Sequence, residues 1–304
     1  MQNNIYLQNG DNMKTNFLPK NKNIGLLFNC DNKNCLSFAQ ELIFWGKEKG
    51  YNFLLREEEA ECLGMPYTDK DQWIKKISFC VVLGGDGAMV RASHTVYRYD
   101  IPLLGVNFGH LGFLALCNGS DCRAMIETIF AGQAFCLKRR LLRVKVWRNG
   151  GIVKTFRALN DAVISSSLIS RIGHFILEVG GKRFVAFLAD GIICSTPTGS
   201  TAYNLSAGGP IVPPHAPLMV MTPICAHTLN ARSVVFSEGD NIVVIPTIKG
   251  GKHVLTVDGQ IAYNLKLGDK IEIELDPKYI ISTFALQDEN YFAIIQEKLG
   301  FGKR

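Results

Sequence analysis

The residues best suited to chemistry in this 304-residue chain fall in three stretches, Gly84-Gly85-Asp86-Gly87, Asn160-Asp161 and the twelve residues from Ser195 to Ser206. The first lies between an apolar run, Ile77 to Leu83, and a segment of helical spacing, Ala88 to Tyr97. At such a junction the free backbone N–H groups and the helix dipole favour an anion such as phosphate, and glycines let the chain approach it closely. Asp86 is the unexpected member. A carboxylate repels phosphate unless it binds a divalent cation or takes a proton from an attacking hydroxyl. The alternative is an N-cap. The flanking glycines, and the place at the carboxyl end of a strand where open α/β sheets bind ligands, favour the chemical role. Arg91, about one helical turn later, faces either a phosphate or solvent.

The stretch Ser195-Thr196-Pro197-Thr198-Gly199-Ser200-Thr201-Ala202-Tyr203-Asn204-Leu205-Ser206 offers hydroxyls and amides to phosphate or ribose without competing charge, and Tyr203 offers a face for a base. Asp190 lies just upstream. Asn160-Asp161 can bond ribose hydroxyls or form a plain turn, and spacing alone favours the turn. The six histidines are isolated from one another, which suits core or surface roles better than metal ligation. Residues 85–90 fill only the first two glycines of G-x-G-x-x-G, and no G-x-x-x-x-G-K-[ST] or G-x-S-x-G occurs. The dinucleotide fingerprint, the P-loop and the nucleophile elbow are therefore absent.

The elements that must position these residues change character along the chain. Short apolar strands at Ile24–Phe28, Asn52–Leu55, Ile77–Leu83 and Ile101–Val106 alternate with helices at Cys35–Lys49, Ala88–Tyr97 and Asp121–Phe130, with a mixed segment before Lys76. That pattern predicts a doubly wound parallel sheet. After Leu137 it becomes a series of short alternating strands, a β-sandwich-like domain, with Val257-Asp258-Gly259-Gln260 among its turn signals. A last helix, Asp288–Leu299, is expected to return to the first domain. The expected division is a flexible 1–22, an α/β domain at 23–137, a β-rich domain at 138–284 and a returning segment at 285–304.

Composition narrows the classes. Lys and Arg number 33 against 27 Asp and Glu, a net charge of +6 with no long basic block, so no footprint for nucleic acid is present. From Gly191 to Ala231 there are 41 consecutive residues without a charge, but six prolines and many Ser, Thr and Gly interrupt them, so they cannot form a membrane helix. The uncharged run Ile101–Ser120, with four glycines, fails in the same way. Nine cysteines without a C-x2-C pair suggest neither a zinc site nor a disulfide framework. With an Asn-rich start lacking an apolar core, they point to the cytoplasm.

GGDG at 84–87, ND at 160–161, STPTGSTAYNLSAGGP at 195–210 and VDGQ at 257–260, in this order and spacing, resemble the NAD kinase family over nearly the whole chain after the first 20 residues. GGDG alone also resembles diacylglycerol and sphingosine kinases and 6-phosphofructokinases; the TPTGSTAY block narrows the family. The resemblance implies transfer of a terminal phosphate from ATP, or polyphosphate, to the 2'-hydroxyl of the adenosine ribose of NAD, with a divalent cation, Mg2+ by expectation, whose ligands it does not name. Asp86 would be the general base, with Gly87 beside the diphosphate. Asn160 and Asp161 match an Asn-Glu pair, so Asp161 is one methylene short. Asp190, Thr201, Ala202, Tyr203, Asn204, Leu205 and Ser206 match NAD-contacting positions, and Arg171 and Gln260 match further contacts. Arg171 and Leu188 would belong to a site completed by a second subunit of a homodimer or homotetramer. Two other classes compete: a lipid kinase, which needs an apolar cleft and a membrane, and a non-catalytic dinucleotide sensor, which has no use for Asp86.

Overall fold

The first strands are Lys14–Asn16 (β1), Asn23–Phe28 (β2), Asn52–Leu54 (β3), Phe79–Leu83 (β4), Leu103–Asn107 (β5) and Cys117–Asn118 (β6), of which β2, β4 and β5 are apolar runs too short for helices. The computed structural model describes residues 14–109, 112–166, 173–247, 253–285 and 291–300. Contacts divide the chain into two units, Met1–Lys138 with Ile281–Arg304, and Arg139–Ile280.

In the first unit β3, β2, β4 and β5 pair in parallel, with Phe28 opposite Leu83 and Leu83 opposite Val106. Every residue of β4 is buried, as expected when helices cover both faces. Those helices are Lys33–Lys49 (α1), Glu57–Leu63 (α2), Lys70–Lys76 (α3), Asp86–Val96 (α4) and Cys122–Phe130 (α5). Asn32 begins α1 by accepting from the amides of Asn34 and Cys35, and Gly50 ends it at φ 74°. The mixed segment before Lys76 is α2 and α3. Seven residues are too few to show a helical period. The signals are instead Glu57, Glu58 and Glu59 in the first turn of α2, Gly64 after it, and Asp69 capping α3.

The chain enters the second unit within Phe135–Arg148 (β7) and continues as Gly151–Ala158 (β8), Asp161–Ser166 (β9), Gly173–Val179 (β10), Lys182–Ala189 (β11) and Gly191–Ser195 (β12). A short helix, Tyr203–Ser206 (α6), precedes Leu218–Ile224 (β13), Val234–Ser237 (β14), Ile242–Pro246 (β15), His253–Val257 (β16), Ile261–Leu265 (β17) and Lys270–Ala285 (β18). One antiparallel sheet has the order β14-β13-β12-β9-β16-β17, and a second set runs β11-β10-β15-β18. Leu142, Phe175, Ile192, Leu255 and Ile271, drawn from both sets, share one buried cluster, the sandwich expected from the alternating strands. β12 explains the head of the uncharged run: it is flanked by β9 and β13, and all five of its residues are buried. A charge there would have to be desolvated without a partner.

The chain leaves through β18, whose Thr283 pairs in parallel with Leu103 of the first unit, and ends in Tyr291–Leu299 (α7). Residues 286–290, where the helix expected from Asp288 would begin, lie outside the described residues. Two expectations are corrected. The fraying expected as far as residue 22 does not extend through Lys14–Asn16, which pairs with Phe135–Leu137 as a β-ladder. The cysteines are not all free: Cys30, just after β2, and Cys62 of α2 form a disulfide across a Cα separation of 6.0 Å. Their separation of 32 residues carries no recognisable spacing, and only the packing of α2 beside β2 brings them together. Among the described residues no helix is long and apolar enough to cross a membrane.

Candidate active site

The turn after β4 places Asp86 inside the helix rather than before it. Gly84 takes φ 141°, a backbone region open to glycine, and Gly85 is the N-cap, so Asp86 is the first residue of α4. The N-cap role considered for Asp86 is thus taken by Gly85, and the aspartate side chain is free to reach elsewhere. Its Oδ2 accepts from the amide of Phe113 at 2.8 Å, and its Oδ1 from Leu114 at 2.9 Å and Ala115 at 3.0 Å. An ionised carboxylate has about four lone-pair positions, so Oδ2 keeps one for a further donor. Gly87 is exposed in the first turn, and the Arg91 guanidinium passes beside it.

Arg91 also lines a cavity of about 430 Å³ together with Asn29, Arg56, Glu58, Glu59 and Thr95. Arg56 spans both carboxylate oxygens of Glu59, which is 1% exposed. Burial raises the Glu59 pKa above the usual carboxylate range, and the Arg56 pairing offsets only part of the rise.

In the second unit, Asn160-Asp161 is a built turn. Asp258 accepts from the amides of Leu159 (2.8 Å), Asn160 (2.7 Å) and Asp161 (3.0 Å), while its own amide donates to the Asp161 carbonyl at 2.9 Å. Asp258 sits at φ 52°, a conformation Asp tolerates better than most residues. Asp161 is buried, and its carboxyl is pushed up to about 7, by desolvation first and by the Asp258 charge second. Gln260 is exposed on the same turn, its amide bonded to the Val257 carbonyl at 3.0 Å.

The Ser/Thr block divides into two sets. Thr196 accepts from the Gly199 amide at 3.0 Å; Ser200 donates to the Pro197 carbonyl at 2.7 Å and accepts from the Val212 amide at 3.0 Å. Asn204 donates to the carbonyls of Ser200 and Pro210 and accepts from Thr222 at 2.7 Å. Ser195, Thr196, Ser200 and Asn204 are 0% exposed. Their polar groups are buried and bond within the loop. The second set is outward: Tyr203 and Ser206 are exposed, and Thr201, Ala202 and Leu205 are half-buried.

Leu188, near the end of β11, and Asp190, just before β12, are both exposed, and Asp190 adjoins the end of β12 opposite to Ser195, which pairs with Asp161. Five residues of strand separate the two ends by roughly 16 Å. Arg171 lies outside the described residues. Sequence reasoning missed Asp258, whose motif looked like a hairpin turn, and the Gly112–Ala115 segment that binds Asp86. The only signal for the latter was the glycine content of an otherwise apolar run. Among the described residues no group of three or more His, Cys, Asp or Glu side chains is placed to hold a metal ion.

Two family models match: the ATP-NAD kinase N-terminal domain over residues 24–134 and the ATP-NAD kinase C-terminal domain over residues 159–280. The chain is 35% identical over 285 residues to the NAD kinase of Geotalea daltonii, covering 93% of this chain and 100% of that one. It is 36% identical over 284 residues to the NAD kinase of Geobacter sulfurreducens, again covering 93% and 100%. Among solved structures it is similar to yeast NADH kinase complexed with NADH, at a TM-score of 0.86, 24% identity and coverage of 95% and 89%. It is also similar to an NAD kinase from Archaeoglobus fulgidus in complex with ATP, at a TM-score of 0.71, 21% identity and coverage of 91% and 98%.

Proposed function

The chain belongs to the ATP-NAD kinase family and is a phosphotransferase, and on that premise we propose that Asp86 is its general base, deprotonating the 2'-hydroxyl of the adenosine ribose of NAD as that oxygen attacks the terminal phosphate of ATP to give NADP. The observation that carries this role is the Asp86 carboxylate itself: fixed at the start of α4, with three amides bound and one Oδ2 lone pair open. The proton of the ribose hydroxyl passes to Oδ2, the new O–P bond forms, and ADP leaves with the electron pair of the broken bond. An alcohol is a weak nucleophile near neutral pH, so alignment and a placed base carry the rate. Arg91 is about one turn beyond Gly87 on an exposed face, suited to the charge of the donor phosphates.

The substrates follow from the relatives: NADH and ATP are the ligands named for the yeast and Archaeoglobus structures. Asn160, Asp161, Thr201, Ala202, Tyr203, Leu205 and Ser206 are proposed to contact NAD. Asn204 would act by holding the loop, because its amide is already bonded. Gln260, Asp190 and Leu188 keep their proposed contacts through exposed positions. Magnesium is proposed as the divalent cation. A protein cage is not built among the described residues, which fits an ion carried largely by the phosphates, since Mg2+ typically uses one or two carboxylates plus substrate oxygens and water. Such an ion would supply charge neutralisation on the transferred group. Homo-oligomerisation and a cytoplasmic setting belong to the same proposal.

The test is Asp86→Asn, which keeps the shape of the carboxylate and removes the base. NAD should still bind, measured by calorimetry, while kcat for NADP formation falls about 10²- to 10⁴-fold. An undiminished kcat would take Asp86 out of the proton transfer. Supplying a lipid acceptor in parallel separates the lipid-kinase alternative.

A further inference from the structure

An aspartate in the first turn of a helix has rotamer freedom, and a base that swings cannot hold a hydroxyl in line with a phosphate. In this chain the freedom is removed by a segment 26 to 29 residues away in sequence. Gly112, Phe113, Leu114 and Ala115 wrap the Asp86 carboxylate, closed on themselves by the Gly112 amide bonded to the Ala115 carbonyl at 3.0 Å. Leu114 and Ala115 are 3% and 0% exposed, so the amides they present are anchored in the core. Glycine at 112 is what permits the approach. A Cβ there would lie 1.9 Å from Asp86 Oδ1 and 2.8 Å from its Cγ, although the Gly112 backbone is not in the left-handed region and alanine is conformationally allowed. Gly105 of β5 performs a similar service behind the segment, where a Cβ would meet the Ala115 Cα and the Met89 Sδ of α4, each at 2.8 Å. The outer side is covered from the chain's end: Lys298 of α7 places Nζ 4.9 Å from the centre of the Phe113 ring, within cation–π range.

We propose that Gly112–Ala115 is the positioning cradle of Asp86, and that Lys298, acting through Phe113, steadies it, so that the C-terminal helix contributes to catalysis without touching substrate. The proposal rests on the general-base role of Asp86 and deepens it. Three amide bonds fix both carboxylate oxygens, and the direction of the one open Oδ2 lone pair is then set by backbone. Misplacing a reacting group by about 1 Å costs on the order of 10²-fold in rate. Gly112, Phe113 and Lys298 are positioning residues; Asp86 alone receives the proton.

Gly112→Ala tests it. Because the added methyl must displace the carboxylate, kcat should fall by about 10²-fold while KM for NAD changes by less than about threefold. A merely structural lesion would not produce that split in a folded enzyme. Lys298→Ala should lower kcat about two- to fivefold, and Lys298→Arg, which restores a cation over the ring, should recover it. A stability cycle adds a readout independent of turnover: in an Asp86→Ala background the carboxylate contact is gone and only the 3.1 Å approach to the Ala115 amide nitrogen remains, so Gly112→Ala should lower the melting temperature by clearly less than it does in the wild-type background. If Gly112→Ala does not fold alone but folds normally with Asp86→Ala, the cradle is supported. If it is equally damaging in both backgrounds, or retains wild-type kcat where Asp86→Asn has lost it, the cradle is overturned while the base role stands. Wild-type kcat in Asp86→Asn would instead remove the base role on which the cradle depends.

Discussion

Replacing Asp258 by Asn tests whether the Asn160-Asp161 turn is built by a distant carboxylate. Asparagine tolerates the φ of 52° at this position, so backbone strain is not the variable. Its amide keeps one oxygen, able to accept from Asn160 and Asp161, but presents N–H groups where Oδ2 accepted from Leu159 at 2.8 Å. Leu159 is 1% exposed, so its amide loses its partner where water has little access. An orphaned buried donor costs about 1–3 kcal/mol, and the two remaining bonds lose their charge assistance, about 1 kcal/mol each. The expected loss is about 3–5 kcal/mol of local stability. In a chain of two units a single unfolding midpoint is a poor measure, so amide exchange is the better assay. The amides of Leu159, Asn160 and Asp161 should exchange roughly 100- to 4000-fold faster, at tenfold per 1.4 kcal/mol. The same variant removes one of the two causes that raise Asp161, so the carboxyl resonance of Asp161 should titrate below about 7. Unchanged exchange at all three amides, with an unchanged Asp161 midpoint, would refute the assignment of Asp258 as the turn's anchor.

Asp161 should also leave a signature in stability against pH. Its folded pKa, about 7, lies above the ordinary value of 3.8, so the folded chain holds a proton that the unfolded chain has released. The contribution is fully present below about pH 4 and is lost as pH rises through about 7, at up to about 1.4 kcal/mol per pH unit within that window. Asp161→Asn should therefore match wild type near pH 4 and melt higher at pH 8, and parallel melting curves across that range would contradict the shift. For the cysteines, thiol titration of the denatured, unreduced chain should find seven reactive groups, rising to nine after reduction. Nine without reduction would mean that Cys30 and Cys62 are not joined.

Local patterning made much of this protein legible. The buried strands Asn23–Phe28, Phe79–Leu83 and Leu103–Asn107 announce themselves as apolar runs bounded by turn residues, and α1 by its spacing and caps. Asp86 stood out because a carboxylate among glycines at a strand's end is chemically anomalous. Less visible were α2 and α3, too short to show a period, and β12, whose uniform burial removed the alternation that marks a half-buried strand. The uncharged run was conspicuous, but composition cannot separate a lining that meets a ligand from a loop that satisfies itself. Ser200 and Asn204 proved to be of the second kind, and Tyr203 and Ser206 remain outward.

The sequence by itself determined the family, the order of α/β and all-β segments and the identity of the aspartate, because these rest on local spacing and on residue types adjacent in the chain. Tertiary structure alone decided what holds each acidic group: the amides of residues 113–115 around Asp86, and Asp258 beneath Asn160-Asp161 some 97 residues away. Backbone amides have no residue type, so no motif can record which ones will converge on a carboxylate. The burial and neighbouring charge that raise Asp161, and the amide placement that leaves Oδ2 of Asp86 one open lone pair, exist only after the chain has folded.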